Sequence, residues 1–223
     1  MPDDTVLSFD LDDTLWPIAP TILAAERAVF TWMEANCPRA VAAHSVETMR
    51  ELRLRMLERF PDRAHDMTFL RRQALAAQLL ETGYPEHLAD DAFEAFYAAR
   101  NRITPYEDVV PALERLSSRY RLYALSNGNA DLGRCGLARY FRGHVNAQSA
   151  GAAKPDARIF NELARLAAVP PERIMHVGDD PHADVHGARS ARLQAVWVRR
   201  EPRIWPTQLE RPARIIASLA ELD

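Results

Sequence analysis

The chain has 223 residues, of which 48% are hydrophobic and 26% charged, with 8 glycines and 15 prolines, a composition that excludes collagen-like and intrinsically disordered chains. The formal net charge is −3 without a run of five like charges, so we expect neither nucleic acid nor an anionic membrane surface as a partner. The basic residues are almost all arginine: 27 of the 28 are arginine, and Lys154 is the only lysine.

The apolar runs and the cysteines exclude further classes of protein. No apolar stretch approaches the roughly 18 residues of a membrane-spanning helix. Cys37 and Cys135 lie far apart and form no CxxC motif, so a disulfide framework and a structural zinc site are not expected. The start, Met1-Pro2-Asp3-Asp4, is acidic. We therefore expect a cytoplasmic protein, either a monomer or a homodimer.

The first predicted element is a short β-strand over residues 5–9, which ends in a cluster of aspartates. From residue 18 to about residue 102 the β-branched runs vanish and apolar residues recur at helical spacing. This pattern predicts a bundle of about four helices.

After Thr104-Pro105 strands alternate with helices, which predicts a mostly parallel sheet with helices on both faces. The predicted strands cover 122–125, 174–177 and 195–198, and the predicted helices cover 109–118, 131–138, 156–168 and 181–190. The first strand must pair with strands beyond residue 105, so the helical block is an insertion. We therefore predict an α/β fold with a Rossmann-like core (1–15 and 105–223) and an inserted all-helical domain (16–104).

Polar side chains follow three of the predicted strands. Ligands of open parallel sheets bind at the carboxyl ends of the strands. Clustered carboxylates repel one another unless a cation lies among them, and their hard oxygen atoms suit Mg²⁺. Mg²⁺ together with an ammonium and amide donors is suited to a phosphoryl group. Taken alone, Asp12 and Asp13 would fit a surface turn equally well.

Four short motifs carry a family resemblance. The motifs are Asp10-Leu11-Asp12-Asp13-Thr14, Ser126-Asn127-Gly128, Lys154-Pro155 and Gly178-Asp179-Asp180-Pro181-His182-Ala183-Asp184. In order and spacing they resemble the motifs of the haloacid dehalogenase superfamily, and the insertion between the first two resembles its helical C1-type cap.

The resemblance implies a role for each acidic motif residue. Asp10 would be the nucleophile that forms an aspartyl-phosphate, and it would also bind Mg²⁺. Asp12 would protonate the leaving group and activate water, while its backbone carbonyl binds the metal. The period of two along an extended chain places Asp10 and Asp12 on the same side. Asp179 would be the third metal ligand.

The resemblance also implies the phosphate contacts. The Ser126 hydroxyl and the Asn127 backbone amide would bind phosphoryl oxygens, although this segment also fits a plain turn. Lys154 would stabilise the phosphoryl group and the carboxylate of Asp10. Lys154 precedes a proline and lies at a predicted helix start, where a cation is disfavoured by the helix dipole, so function is the better reason for a lysine there.

Three further polar residues are expected to support the site. Thr14 would orient the loop after the first strand. Asp180 fits an N-cap before Pro181 at least as well as a metal ligand, so we place it behind the ligands. Asp184 could pair with Lys154 or with a metal-bound water, or it could be a surface carboxylate favoured by the helix dipole.

Asp12 decides the expected reaction, because a halide leaving group needs no proton and the dehalogenase branch lacks an aspartate at this position. The resemblance therefore implies a magnesium-dependent phosphomonoester hydrolase that acts on a small phosphorylated metabolite. The alternatives are a sugar-phosphate mutase of the same fold and a non-catalytic binding or regulatory protein.

Substrate contacts are expected from Trp16, His65 and Asp66. Arg71 and Arg72 fit a solvated helix face better than a substrate contact. The segments around the motifs, together with His65-Asp66, are most similar to bacterial phosphatases that act on FMN and on the ribitylaminouracil phosphate of riboflavin synthesis. The segments are Phe9 to Trp16, Ser126 to Ala130 and His176 to Asp180.

Overall fold

The computed structural model describes residues 5–222, so the acidic start at residues 1–4 and residue 223 lie outside the described part of the chain. The chain divides into two compact units. One unit comprises the chain up to Pro17 together with the chain from Thr104 onward, and the other comprises Ile18–Ile103. We call them the α/β unit and the helical unit.

The helical unit contains five α-helices within the described residues, where the apolar pattern predicted about four. They are α1 (Ile18–Asn36), α2 (Pro38–Ala43), α3 (Val46–Arg59), α4 (Met67–Glu81) and α5 (Leu88–Arg100), with a 3₁₀ turn at Pro61–Arg63. The additional helix is the six-residue α2, which is too short to show an apolar period. Buried side chains such as Val29, Met33, Leu79 and Phe96 form the core of this unit.

The α/β unit is built on a six-stranded parallel sheet, which confirms the predicted fold class. The strands are β1 (Val6–Phe9), β2 (Arg121–Ser126), β3 (Gly143–Asn146), β4 (Ile174–Gly178), β5 (Gln194–Val198) and β6 (Arg214–Ile216), in the order β3-β2-β1-β4-β5-β6. In this register Phe9 of β1 lies between Ala124 of β2 and Val177 of β4. The carboxyl ends of these three strands are therefore adjacent.

Four α-helices of the described chain belong to the α/β unit. They are α6 (Val109–Ser117), α7 (Ala147–Ala150), α8 (Ala157–Ala167) and α9 (Gly187–Ser190), and a π-helical turn (Pro181–His186) precedes α9. Helix α8 buries Ile159, Phe160 and Leu163 against a core that includes Leu125 and Val145. Each such side chain contributes about 1.5–3 kcal/mol. This packing holds α8, and with it the preceding Lys154 segment, against the sheet.

The helix predicted over residues 131–138 is wrong. Turns occupy this stretch, and the side chain of Asp131 accepts hydrogen bonds from the backbone amides of Gly133 (2.7 Å) and Arg134 (3.0 Å). An aspartate that bonds the following amides competes with helix formation. Gly136 adopts φ +74°, a left-handed conformation that ends the turn.

Strands β3 and β6 were not predicted. The sequence of β3, Gly-His-Val-Asn, contains one β-branched residue, and β6 is only three residues long. Both strands exist because their backbones pair with a longer neighbour. Within the described residues no helix is long and apolar enough to cross a membrane.

Asp108 joins distant segments of the α/β unit. Its carboxylate accepts two hydrogen bonds from Arg200 Nη1 (2.9 and 2.8 Å), one from Ser218 Oγ (2.8 Å) and one from the Leu219 amide (2.6 Å). Arg200 Nε also donates to the Thr14 carbonyl at 3.0 Å. Burial alone would raise the pKa of Asp108, but the hydrogen bonds from Arg200 and Ser218 outweigh it and lower the pKa.

We expect Asp108→Ala to lower the free energy of unfolding by about 3 kcal/mol, because Arg200 and two further donors lose their acceptor. Since the folded-state pKa lies below the unfolded value, this stabilisation is present above about pH 4 and is lost as the pH falls further. Urea titrations of wild type and variant at several pH values measure the difference.

The matched control is Glu162→Ala, which removes an ion pair with Arg165, whose side chain is 73% exposed. We expect this variant to lose less than about 1 kcal/mol. Equal losses in the two variants would contradict a structural role for Asp108.

Candidate active site

The predicted nucleophile lies directly after the central strand. The Asp10 amide donates to the Val177 carbonyl at 2.9 Å, which extends the pairing of β1 and β4 by one residue. Ser126 is the last residue of β2, and Asp179 directly follows β4. The strand order therefore brings these three motif residues to one edge of the sheet.

The loop after β1 is a tight turn that fixes Asp12. Asp13 has φ +59°, its amide donates to the Trp16 carbonyl at 2.7 Å, and the Leu15 amide donates to the Leu11 carbonyl at 2.7 Å. Trp16 Nε1 donates to Asp12 Oδ1 at 2.9 Å, and the Trp16 side chain is fully buried. The buried indole therefore contacts Asp12, and its contact with a substrate stays a prediction.

Lys154 lies at the centre of the site. Its Nζ donates to Asp10 Oδ1 (2.5 Å), to Asp184 Oδ1 (2.6 Å) and to the Leu125 carbonyl (3.0 Å), and its side chain is only 2% exposed. These three acceptors use all three N–H groups of the ammonium. Burial alone would lower the pKa of Lys154, but Asp10 and Asp184 outweigh it and raise the pKa. Lys154 is therefore a permanently charged bridge between two carboxylates.

The backbone around Lys154 is held by Asn127. Asn127 Nδ2 donates to the Lys154 carbonyl (3.0 Å), and Asn127 Oδ1 accepts from the Lys154 amide (2.7 Å). The N-cap of α8 is Asp156, whose side chain accepts a hydrogen bond from the Arg158 amide. Lys154 therefore lies two residues before the N-cap of this helix. The side chain of Asn127 thus has a positioning contact that the sequence did not indicate.

Asp184 packs tightly over the end of β4. Its Oδ2 accepts from the Asp180 amide at 3.0 Å, while Oδ1 accepts from Lys154. A Cβ atom added at Gly178 would lie 2.2 Å from Asp184 Cγ, so only glycine leaves room for this carboxylate. Burial alone would raise the pKa of Asp184, but Lys154 and His176 lower it. Asp184 is therefore the ionised partner of Lys154.

His176 belongs to the site although sequence analysis did not single it out. His176 Nε2 lies 3.1 Å from Asp184 Oδ1, and its Nδ1 lies 2.7 Å from Ser8 Oγ. Because an ionised carboxylate only accepts, Nε2 carries the proton. Burial lowers the pKa of His176, and the neutral ring accepts from Ser8 at Nδ1. The only sequence signal was a polar residue inside a buried strand.

Asp179 is held from two directions. Thr14 Oγ1 donates to Asp179 Oδ1 at 3.2 Å, and Trp197 Nε1 donates to the Asp179 carbonyl at 2.7 Å. Burial, together with the nearby carboxylates of Asp184 and Asp13, raises the pKa of Asp179 to about 7. Asp180 caps the π-helical turn, since its Oδ1 accepts from the amides of His182 and Ala183 at 2.8 Å.

The donor set suits a divalent cation. One oxygen atom from each of Asp10, Asp179 and Asp184 lies within 4.8 Å of the others. When all three carboxylates are ionised, they and the Lys154 ammonium carry a net charge of −2, which a divalent cation would neutralise. Burial and the neighbouring carboxylates raise the pKa of Asp10 against the opposing effect of Lys154. Both oxygens of Asp184 already accept hydrogen bonds, so Asp10 and Asp179 are the better placed ligands.

Two of the expected substrate-contact residues lie in the helical unit. Asp66 caps α4 through a hydrogen bond from the Phe69 amide (2.9 Å), pairs with Arg63 (2.7 Å) and is 1% exposed. These contacts give Asp66 a structural role at the start of α4, and its contact with a substrate stays a prediction. His65 is partly buried in the turn before α4, and its contact with a substrate stays a prediction.

Comparison with known proteins agrees with this geometry. A family model described as haloacid dehalogenase-like hydrolase matches residues 5–192. The chain is 33% identical over 204 residues to 5-amino-6-(5-phospho-D-ribitylamino)uracil phosphatase YigB of Escherichia coli (strain K12), covering 88% of this chain and 84% of that protein. It is 30% identical to glyceraldehyde 3-phosphate phosphatase of Methanopyrus kandleri, covering 96% of each.

A solved structure is similar over nearly the whole chain. The crystal structure of 2-haloacid dehalogenase from Pseudomonas syringae pv. Tomato DC3000 matches with a TM-score of 0.91 and 37% sequence identity, covering 98% of this chain and 96% of that one. Together these matches confirm the family resemblance and the fold class predicted from the four motifs.

We expect Gly178→Ala to weaken the binding of divalent cations by about 10–100-fold, because the new Cβ displaces Asp184 and with it the partner of Lys154. Calorimetric titration with MgCl₂ measures the affinity. The control is Gly151→Ala, a position with φ +64° where an added Cβ meets nothing within 4 Å. That variant loses stability through backbone strain but keeps its affinity. Unchanged affinity in Gly178→Ala would contradict the proposed packing.

Proposed function

The chain belongs to the haloacid dehalogenase-like hydrolase family, and on this basis we propose that it is a magnesium-dependent phosphomonoester hydrolase acting on a small phosphorylated metabolite. The observation that carries the proposal is the buried Lys154, whose ammonium joins Asp10 to Asp184 at the end of the central strand. A carboxylate held this way is oriented for attack and has a positive charge beside the position where a phosphoryl group would bind.

Asp10 acts as the nucleophile. Its carboxylate oxygen attacks phosphorus, the bond from phosphorus to the ester oxygen breaks, and an aspartyl-phosphate forms. Lys154 orients Asp10 through the 2.5 Å hydrogen bond. Asp10, Asp179 and the Asp12 carbonyl would hold magnesium, which would supply the positive charge that keeps the two carboxylates ionised and offsets the charge of the phosphoryl group.

Asp12 acts as the general acid and then as the general base. It protonates the leaving alkoxide and later removes a proton from the water that hydrolyses the aspartyl-phosphate. The hydrogen bond from Trp16 Nε1 to Asp12 Oδ1 restricts the rotation of this carboxylate. Proton transfer needs such a fixed geometry, since misplacement by about 1 Å costs roughly 100-fold in rate.

Asp12 also favours ester hydrolysis over dehalogenation, which the name of the Pseudomonas syringae structure raises as a second candidate. A halide leaves without a proton, so a dehalogenase has no use for an acid at this position. An ester oxygen needs the proton.

Ser126 and Asn127 bind the phosphoryl oxygens. Ser126 lies at the end of β2 and its Oγ accepts from the Gly128 amide at 3.0 Å, which orients the hydroxyl. The side chain of Asn127 is engaged with the Lys154 backbone, so its backbone amide is the proposed donor.

The substrates of the relatives suggest which metabolites to test. The Escherichia coli relative is named for a ribitylaminouracil phosphate and the Methanopyrus kandleri relative for glyceraldehyde 3-phosphate. We propose FMN and the riboflavin-pathway phosphate as the first substrates of a metabolite screen.

The wild type is expected to release phosphate from a generic aryl phosphate with stimulation by Mg²⁺, and Asp10→Asn is expected to lose roughly 10⁴-fold or more in kcat. Asp156→Asn, which changes an exposed aspartate at the start of α8, serves as the control and should keep full activity. Phosphate release and circular dichroism are the two measurements.

The rival functions each have a distinguishing result. Isomerisation of a hexose 1-phosphate without release of phosphate would indicate a mutase. Release of chloride from 2-chloropropionate without phosphatase activity would indicate a dehalogenase. Absence of all three activities would indicate a binding protein.

Lys154→Arg is expected to lose at least about 100-fold in kcat although the charge is kept. A planar guanidinium is larger than an ammonium and cannot direct three donors at the acceptors that surround Nζ. Arg158→Lys, on the exposed start of α8, is the reverse exchange and should have no effect. Normal hydrolysis by Lys154→Arg would contradict the proposed role of the ammonium.

A further inference from the structure

A second group of charged side chains surrounds the buried Glu26 within the helical unit, where the side chains of Arg50 and Arg53 are 44% and 29% exposed. Glu26 of α1 is only 5% exposed, and its Oε2 accepts from Arg50 Nε (2.9 Å) and Nη2 (2.5 Å). Its Oε1 lies 3.8 Å from Arg53 Nη1. Both arginines belong to α3, so one carboxylate faces two guanidinium groups.

Arg71 of α4 adds a third positive charge. Its guanidinium carbon lies 3.6 Å from the centre of the Phe96 ring, and none of the ion pairs in the described part of the chain includes Arg71. Burial, together with the neighbouring Arg53, lowers the pKa of Arg71 to about 9. Among the side chains that line this site, three arginines therefore face one carboxylate, that of Glu26.

These side chains line a small cavity. Its volume is about 20 Å³, and it is lined by Glu26, the three arginines, Gln78 and otherwise apolar side chains. Gln78 of α4 is 1% exposed, and its Nε2 is buried without a hydrogen-bond partner. A buried donor without an acceptor costs about 1–3 kcal/mol. The cavity thus combines a net charge of +2 with an amide that lacks an acceptor.

We propose that this cavity binds a compact anion, either chloride or the carboxylate group of a small molecule. An occupant of this kind supplies both an acceptor for Gln78 Nε2 and negative charge for Arg53 and Arg71. The volume exceeds the roughly 10–15 Å³ that one water molecule needs. Water would satisfy the amide, but it would bring no negative charge to the three arginines. None of the residues proposed for phosphate hydrolysis takes part.

The test is the thermal unfolding of the full chain in sodium gluconate, sodium chloride and sodium formate at equal ionic strength, with the gluconate anion serving as one too large for the cavity. At 100 mM salt we expect chloride or formate to raise Tm by about 2–4 °C over gluconate. A response to formate alone supports a carboxylate ligand, and a response to chloride supports the free ion. Equal Tm values in the three salts would overturn the proposal.

Two variants on α4 form a matched pair. Arg71→Met should abolish the shift in Tm, because it removes a guanidinium that lines the cavity. Arg72→Met should keep the shift, since Arg72 is exposed and pairs with Asp90 outside the cavity. Equal shifts in both variants would overturn the proposal.

Gln78→Glu tests the same site without removing any arginine. The new carboxylate supplies the negative charge from within the chain. We expect its Tm in gluconate to exceed that of the wild type, and its shift in chloride or formate to fall below about 1 °C. A wild-type response to anions in Gln78→Glu would also overturn the proposal.

Discussion

The buried ammonium of Lys154 is the interaction on which the arrangement of the site depends. It contacts Asp10 after β1, the Leu125 carbonyl in β2 and Asp184 after β4, so one side chain joins the carboxyl ends of three adjacent strands. Removing one partner of such a buried pair leaves an uncompensated charge and typically costs about 3–5 kcal/mol. A compact tetrahedral donor is needed there, which is why the lysine occurs at this position of an arginine-rich chain.

The residues around this ammonium act mainly by excluding alternative geometries. Asn127 holds the backbone of Lys154 from both sides, and Gly178 leaves the space that Asp184 occupies. His176, which lies inside β4, donates a hydrogen bond to the same carboxylate of Asp184. Burying such a polar network costs desolvation free energy. Networks of this kind therefore occur where a reaction needs charges in fixed positions. Burial, together with the nearby carboxylates of Asp184 and Asp13, raises the pKa of Asp179 in the same region.

The sequence could predict Asp10, Ser126 and Asp179 because each lies at the end of a short buried strand, and strand ends are visible in local hydrophobicity. It could not predict His176, since a single polar residue in a strand does not reveal which carboxylate it faces. The predicted helix over 131–138 was wrong because the side chain of Asp131 competes for the backbone amides. The sequence could not predict the burial of Trp16 either, because burial depends on tertiary contacts.

The sequence by itself determined the family, the alternation of strands and helices, the helical insertion, and which carboxylates end the strands. Those features depend on short-range periodicity and on motif spacing. The tertiary structure alone decided the strand order, the three partners of Lys154, the pKa of Asp179 and the charged cavity around Gln78. These depend on desolvation and on contacts between residues far apart in the chain, as with Asp10 and Lys154, which local patterns do not encode.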